Sequence, residues 1–163
     1  MLGVGGLAAL AGWGVSAWHA PADAEPLRSA RFADLGGVSR SLHDWSDRVL
    51  VVNFWGTWCP PCREEIPALV AARAKLLPSG VEFVGIAIDQ AVKVAQFVRN
   101  VPISYPILIA DPNALSLVRE LGNPSGALPF TVVLDRKGRV THRNLGAVTQ
   151  QKIERQALEA LQA

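Results

Sequence analysis

Read as apolar and polar positions, the chain alternates β-type runs with stretches of helical period. "RVLVVNF" (48–54) and "VEFVGIAI" (81–88) are continuous, apolar and β-branched, the mark of strands buried on both faces. Between them, "IPALVAARAKLL" places Ile66, Leu69, Val70 and Leu77 on one helical face, with Pro78 and Gly80 as the stop. Pro67 is expected to kink that helix, because an interior proline removes a backbone hydrogen bond. Asp89 is expected to cap a next helix whose Val94, Phe97 and Val98 face inward. "DPNALSLVRELG" (111–122) has Asp111 at the cap, Pro112 in the first turn and Gly122 past the end, with Ala114, Leu117, Val118 and Leu121 as its stripe. "FTVVLD" and "RVTHRN" flank Arg136-Lys137-Gly138, a strand–turn–strand signal. A last helix, from about Thr149 to Leu161, is expected to bury Ile153, Ala157, Leu158 and Leu161. Near the start, short alternating pieces either side of Gly36-Gly37 predict a β-hairpin. The order implies an α/β fold, a central mixed β-sheet flanked by helices.

The first twenty residues follow none of these periods. "MLGVGGLAALAGWGVSAWHA" holds no Lys, Arg, Asp or Glu and approaches the shortest helical span of a bilayer, about 17 residues. It reads as an apolar membrane anchor or a signal segment; Ala22-Asp23-Ala24 is a small-x-small pattern compatible with cleavage. No basic residue follows until Arg28, which fits an outward-facing domain. The expected layout is an anchor or signal over 1–20, a linker over 21–30 marked by Pro21 and Pro26, and one globular domain over 31–163. This gives an extracytoplasmic, periplasm-facing protein, held to the membrane by its N-terminal segment or secreted.

Composition narrows the function. Half of the 163 residues are hydrophobic, enough for a real core, and 16 basic against 14 acidic residues leave a net charge of +2. No Lys/Arg stripe exists to hold nucleic acid. The three histidines, His19, His43 and His142, show no metal-ligand spacing, and one cysteine pair is half of a structural zinc set. No metal and no cofactor are implied, and a monomer is expected.

The only two cysteines, Cys59 and Cys62, stand in "NFWGTWCPPCREEIP", directly after the 48–54 strand. In α/β sheets ligand chemistry gathers beyond the carboxyl ends of strands. If a helix begins at Cys59, Pro60 and Pro61 fill positions whose N–H groups would lack partners anyway. Cys59 then sits on the positive end of the helix dipole, where its sulfur can accept a free N–H, and both effects favour the thiolate. Cys62, one turn inside, is expected to be more buried and to resolve a disulfide formed on an exposed Cys59. Trp55 reads as core, and Trp58 as a shield or a contact for a partner protein.

"FWGTWCPPC" and the downstream "GALPFTVVLDRKGRV" resemble the thioredoxin superfamily. Within it the chain is most similar to the TlpA/ResA/DsbE-like membrane-anchored or exported thiol–disulfide oxidoreductases, over about residues 30 to 162. The resemblance implies a thioredoxin fold, Cys59 as nucleophile and Cys62 as resolving cysteine. It implies a cis peptide bond at Pro129, which would leave the Leu128 backbone open to an extended substrate. Thioredoxin has a buried aspartate where Asn53 stands; the TlpA/ResA branch places a glutamate where Glu65 stands, as a base for Cys62, with Glu64 facing solvent. Pro60, Trp58, Leu128 and Pro129 are the expected substrate contacts. A prolyl pair between the cysteines offers no donor to the thiolate, which favours a reductant of protein disulfides. Implied partners are a disulfide-bearing client, apocytochrome c among the options, and an upstream membrane thiol–disulfide donor. A peroxiredoxin-like thiol peroxidase and a metallochaperone stand as alternatives.

Overall fold

The computed structural model describes residues 22–163. The expected anchor or signal segment, 1–20, lies outside them. Among the described residues no helix is long and apolar enough to cross a membrane.

Among the described residues eight strands form one mixed sheet: β1 (Ala22–Asp23), β2 (Phe32–Asp34), β3 (Ser39–Arg40), β4 (Val49–Trp55), β5 (Val81–Ile88), β6 (Ile107–Ala110), β7 (Phe130–Leu134) and β8 (Arg139–Leu145). Their order is β1-β8-β7-β4-β5-β6-β2-β3. β4, β5 and β6 run parallel, and β7 joins β4 antiparallel. Among the described residues the α-helices are α1 (Glu25–Ser29), α2 (Pro60–Leu76), α3 (Ala91–Asn100), α4 (Leu115–Glu120) and α5 (Gln150–Leu161).

β4 is buried throughout, as a strand covered on both faces must be. Alternation splits it. Leu50, Val52 and Phe54 join the layer with Leu27, Val118 and Leu121. Val49 and Val51 meet Leu69, Leu76, Ile153 and Ala157 from α2 and α5. Asn53 and Trp55 belong by the same alternation to that second face. The predicted 36–37 hairpin is present as β2–β3, and β7–β8 closes around the 136–138 turn.

Several expectations give way to packing. Residues 22–29 are not a linker: Ala22 and Asp23 pair with β8, and Leu27 is only 1% exposed. Pro26 opens α1 rather than extending the chain, and Leu27 supplies the apolar side chain that fastens it. α2 runs through Pro67 without a break, and it ends at Leu76, which takes the core place expected of Leu77. The cap of α3 is Gln90, because the Asp89 carboxylate is engaged by Thr57. α5 buries Ile153, Ala157 and Ala160, whereas Leu158 is 43% exposed. Spacings of four and three keep that trio on one stripe, and Leu158 stands one residue, about 100°, off it. β6 was not anticipated; its four residues are too few for a clear period.

Leu27→Ala should therefore destabilise the protein by about 2–5 kcal/mol. Leu158→Ala should stay within about 0.5 kcal/mol of the parent. Urea denaturation of both variants measures the contrast.

Candidate active site

The carboxyl end of β4 turns at Gly56 into the start of α2. Gly56 leaves room for the Trp58 ring: a Cβ there would lie 2.5 Å from Trp58 Nε1. The turn is tied to β5, since Thr57 donates its N–H and hydroxyl to Asp89 Oδ2 at 3.0 and 2.5 Å. Burial alone would raise the Asp89 carboxyl. The Thr57 hydroxyl and the N–H groups of Gln90 and Thr57 outweigh it and hold the group below the usual carboxylate range. Trp58 lies back on the same strand, its Nε1–H donating to the Ile88 carbonyl at 3.2 Å, while the residue stays 63% exposed. Trp55 is fully buried, as expected of core.

Cys59 has extended backbone at the cap of α2, and Pro60 and Pro61 are the first helical residues. The first helical bond runs from the Arg63 N–H to the Cys59 carbonyl at 3.2 Å. Cys59 and Cys62 are joined in a disulfide with their Cα atoms 5.3 Å apart. Cys62 is fully buried and Cys59 is only 4% exposed, not open to solvent as expected. In this state Cys59 packs with Trp55, Cys62 and Ile66, and Leu128 leans on the same group. The expected sulfur cap is also missing: Cys59 Sγ accepts no N–H. It is bonded to its partner sulfur, and the two prolines have no N–H to give.

Glu65 stands one turn behind Cys62 on the same face of α2, at a spacing that makes side chains neighbours. It is 3% exposed, whereas Glu64 is exposed. Two donors reach it: Asn53 Nδ2 at 2.7 Å to Oε1, and the Val148 N–H at 2.9 Å to Oε2. Asn53 also donates to Thr131 Oγ1 at 2.9 Å. Burial raises the Glu65 carboxyl to about 7, against the opposing pull of these two donors. A group so poised can take or give a proton near neutrality.

On the far side, the Leu128–Pro129 peptide bond is cis, and Pro129 is buried just ahead of β7. The Gly146 N–H donates to the Pro129 carbonyl at 2.9 Å. The structure thus brings Cys59, Cys62, Glu65 and Leu128 together, with Trp58 and Pro60 exposed at the rim. Asn53 and Val148 as the donors to Glu65, and the Thr57–Asp89 clamp, are not apparent from the sequence. A polar residue inside "VVNF" was the available signal for Asn53. Val148 acts through its backbone and left no such signal. Among the described residues no group of three or more His, Cys, Asp or Glu side chains is placed to hold a metal ion.

The Redoxin family model matches residues 22–161. The chain belongs to the Redoxin family. It is 30% identical over 123 residues to the thiol–disulfide oxidoreductase ResA of Bacillus cereus, covering 74% of this chain and 68% of that one. A thioredoxin-related protein from Neisseria meningitidis serogroup B superposes with a TM-score of 0.72 at 32% identity, covering 81% of this chain and 99% of that one. A secreted thiol–disulfide isomerase from Corynebacterium glutamicum gives 0.75 at 28% identity, covering 84% and 86%. This Redoxin-family protein is a thiol–disulfide oxidoreductase with the thioredoxin-like fold.

The raised Glu65 carboxyl links stability to pH. The folded protein holds this proton more tightly than the unfolded chain, so the stabilisation is complete below about 4.5 and lost as pH rises through about 7. The loss is on the order of 3 kcal/mol. Urea unfolding of the oxidised protein between pH 4.5 and 8 should show this decline, and Glu65→Gln should flatten it. An unchanged slope in that variant would remove Glu65 as its source.

Proposed function

We propose that this oxidoreductase reduces disulfides of client proteins outside the cytoplasm. The Cys59 thiolate attacks one sulfur of a client disulfide, forming a mixed disulfide and releasing the other client sulfur as a thiolate. Glu65 takes the proton of Cys62, and the Cys62 thiolate attacks Cys59 Sγ. The second client thiolate leaves, the client has gained two electrons, and Cys59–Cys62 is oxidised. An upstream membrane thiol–disulfide donor returns the electrons. Trp58 and Pro60 form the exposed walls against which the client lies, with Pro129 buried beneath them, and the Leu128 backbone pairs with its extended chain as an added strand would.

The observation that carries this reading is the Cys59–Cys62 disulfide at the start of α2 with the buried Glu65 carboxyl directly behind it, held by Asn53 and Val148. The reducing direction rests on Pro60 and Pro61, which deny the Cys59 thiolate two N–H donors and so limit how oxidising the pair can be. The extracytoplasmic site rests on the uncharged 1–20 segment and on the secreted Corynebacterium glutamicum relative. Apocytochrome c awaiting haem is the client class we favour.

Cys62→Ser tests the scheme, since a mixed disulfide formed on Cys59 then has no resolving thiol. Non-reducing gels of cells making that variant should show client adducts that a Cys59→Ser variant lacks. Glu65→Gln should slow client release roughly 100-fold while adducts still form. No adducts from Cys62→Ser, or peroxide consumption in place of insulin-disulfide reduction, would contradict the proposal.

A further inference from the structure

Three buried side-chain atoms have no hydrogen-bond partner among the described residues: Asn53 Oδ1, Trp55 Nε1 and Tyr105 Oη. They belong to one neighbourhood. Asn53 lies in register with Gly85 on the adjacent parallel strand. A Cβ on Gly85 would stand 3.0 Å from Tyr105 Cε2 and 3.1 Å from Trp55 Nε1. The missing side chain of Gly85 thus lets an indole N–H and a phenol ring converge beside Asn53. The Gly85 N–H, bonded to the Pro106 carbonyl at 2.9 Å, fixes the chain that carries Tyr105.

Their chemistry is complementary. Trp55 Nε1–H is a donor only, Asn53 Oδ1 an acceptor only, and Tyr105 Oη can serve as either. A water has two protons and two lone pairs, and buried waters typically make about three hydrogen bonds to otherwise unpaired polar groups. We propose that one buried water joins Trp55, Tyr105 and Asn53, and that Tyr105 acts through it as a positioning residue for Glu65. The water accepts from Trp55 Nε1–H, donates to Asn53 Oδ1 and bonds the Tyr105 hydroxyl. Held at its oxygen, the Asn53 amide keeps Nδ2 aimed at Glu65 Oε1 and Thr131 Oγ1. The proton affinity of Glu65 then depends on a phenol it does not bond directly. This deepens the proposed role of Glu65 and rests on that reading for its catalytic meaning.

Among the described residues, groups from several elements surround Glu65. Asn53 comes from β4, the Val148 N–H from the loop before α5, Tyr105 from the loop before β6, and Cys62 from its own helix. Burial raises the Tyr105 phenol first, and the charge of Glu65 raises it further, so the two are electrostatically close. Arg73 and Lys75, the basic residues of α2 beyond Glu65, are more than two turns away and pair with Glu82 and Glu154. Arg63 and Glu64 face solvent.

The wild-type oxidised protein supplies the first test. In water-selected NMR, the Trp55 indole proton, assigned by its loss in Trp55→Phe, should show a direct Overhauser cross-peak to water. Its absence overturns the proposal whatever Glu65 does in turnover. The second test follows the Glu65 carboxyl carbon by 13C NMR in oxidised Tyr105→Phe. With the water unanchored and Asn53 loosened, the midpoint should rise by about one pH unit. A midpoint unmoved in a folded variant would reduce Tyr105 to packing and overturn its positioning role. Both readouts are independent of client reduction, so their failure is distinguishable from failure of the proposed function.

Discussion

The site depends on one carboxyl group placed where water does not reach it. Glu65 sits between helix and sheet, and among the described residues it accepts hydrogen bonds from the Asn53 amide and the Val148 N–H. Two hydrogen bonds compensate a buried carboxylate in part, and the remaining desolvation cost keeps its proton near neutrality. A third donor or a cation there would make Glu65 an ordinary anion, unable to serve as the base we propose for Cys62. The pairing of an amide rather than a charge at position 53 is therefore part of the chemistry we propose. Asn53 orients the carboxyl and adds no second titrating group.

The rest of the architecture serves that placement. β4 and β5 run side by side, buried on both faces, and end together at the turn that carries the cysteines. The Thr57–Asp89 clamp and the Trp58–Ile88 bond tie that turn to β5. The helix that follows then puts Cys62 and Glu65 one turn apart on its inner face. β7, antiparallel to β4, brings Pro129 and Leu128 to the same end of the sheet. The two sulfurs thus lie between the β4–β5 pair and the cis-prolyl loop, with the exposed Trp58 at the edge where we propose that a client approaches.

The sequence was most legible where local signals and packing agree. "VEFVGIAI" reads as a buried strand and is one, and two prolines after Cys59 mark a helix start that the fold uses. It was least legible where a residue's partner lies far along the chain. Asp89 looked like a cap because cap chemistry is local, yet Thr57, 32 positions away, takes its carboxylate. Residues 21–30 looked like a linker because Pro21 and Pro26 outweigh a single leucine. That leucine has a core waiting for it, and β8 offers an edge to pair with. The acid behind Cys62 could be placed by resemblance alone. What sets its proton affinity, an amide from β4 and a backbone N–H 83 positions away, is a property of the folded chain.

The most direct test is the pH dependence of Cys59 alkylation in the reduced protein, with and without Glu65. Coupling between the helix start and the buried acid predicts a Cys59 midpoint below that of a free thiol, about 8.5. It also predicts a second inflection near 7 that disappears in Glu65→Gln. A single free-thiol curve, the same in both proteins, would contradict it.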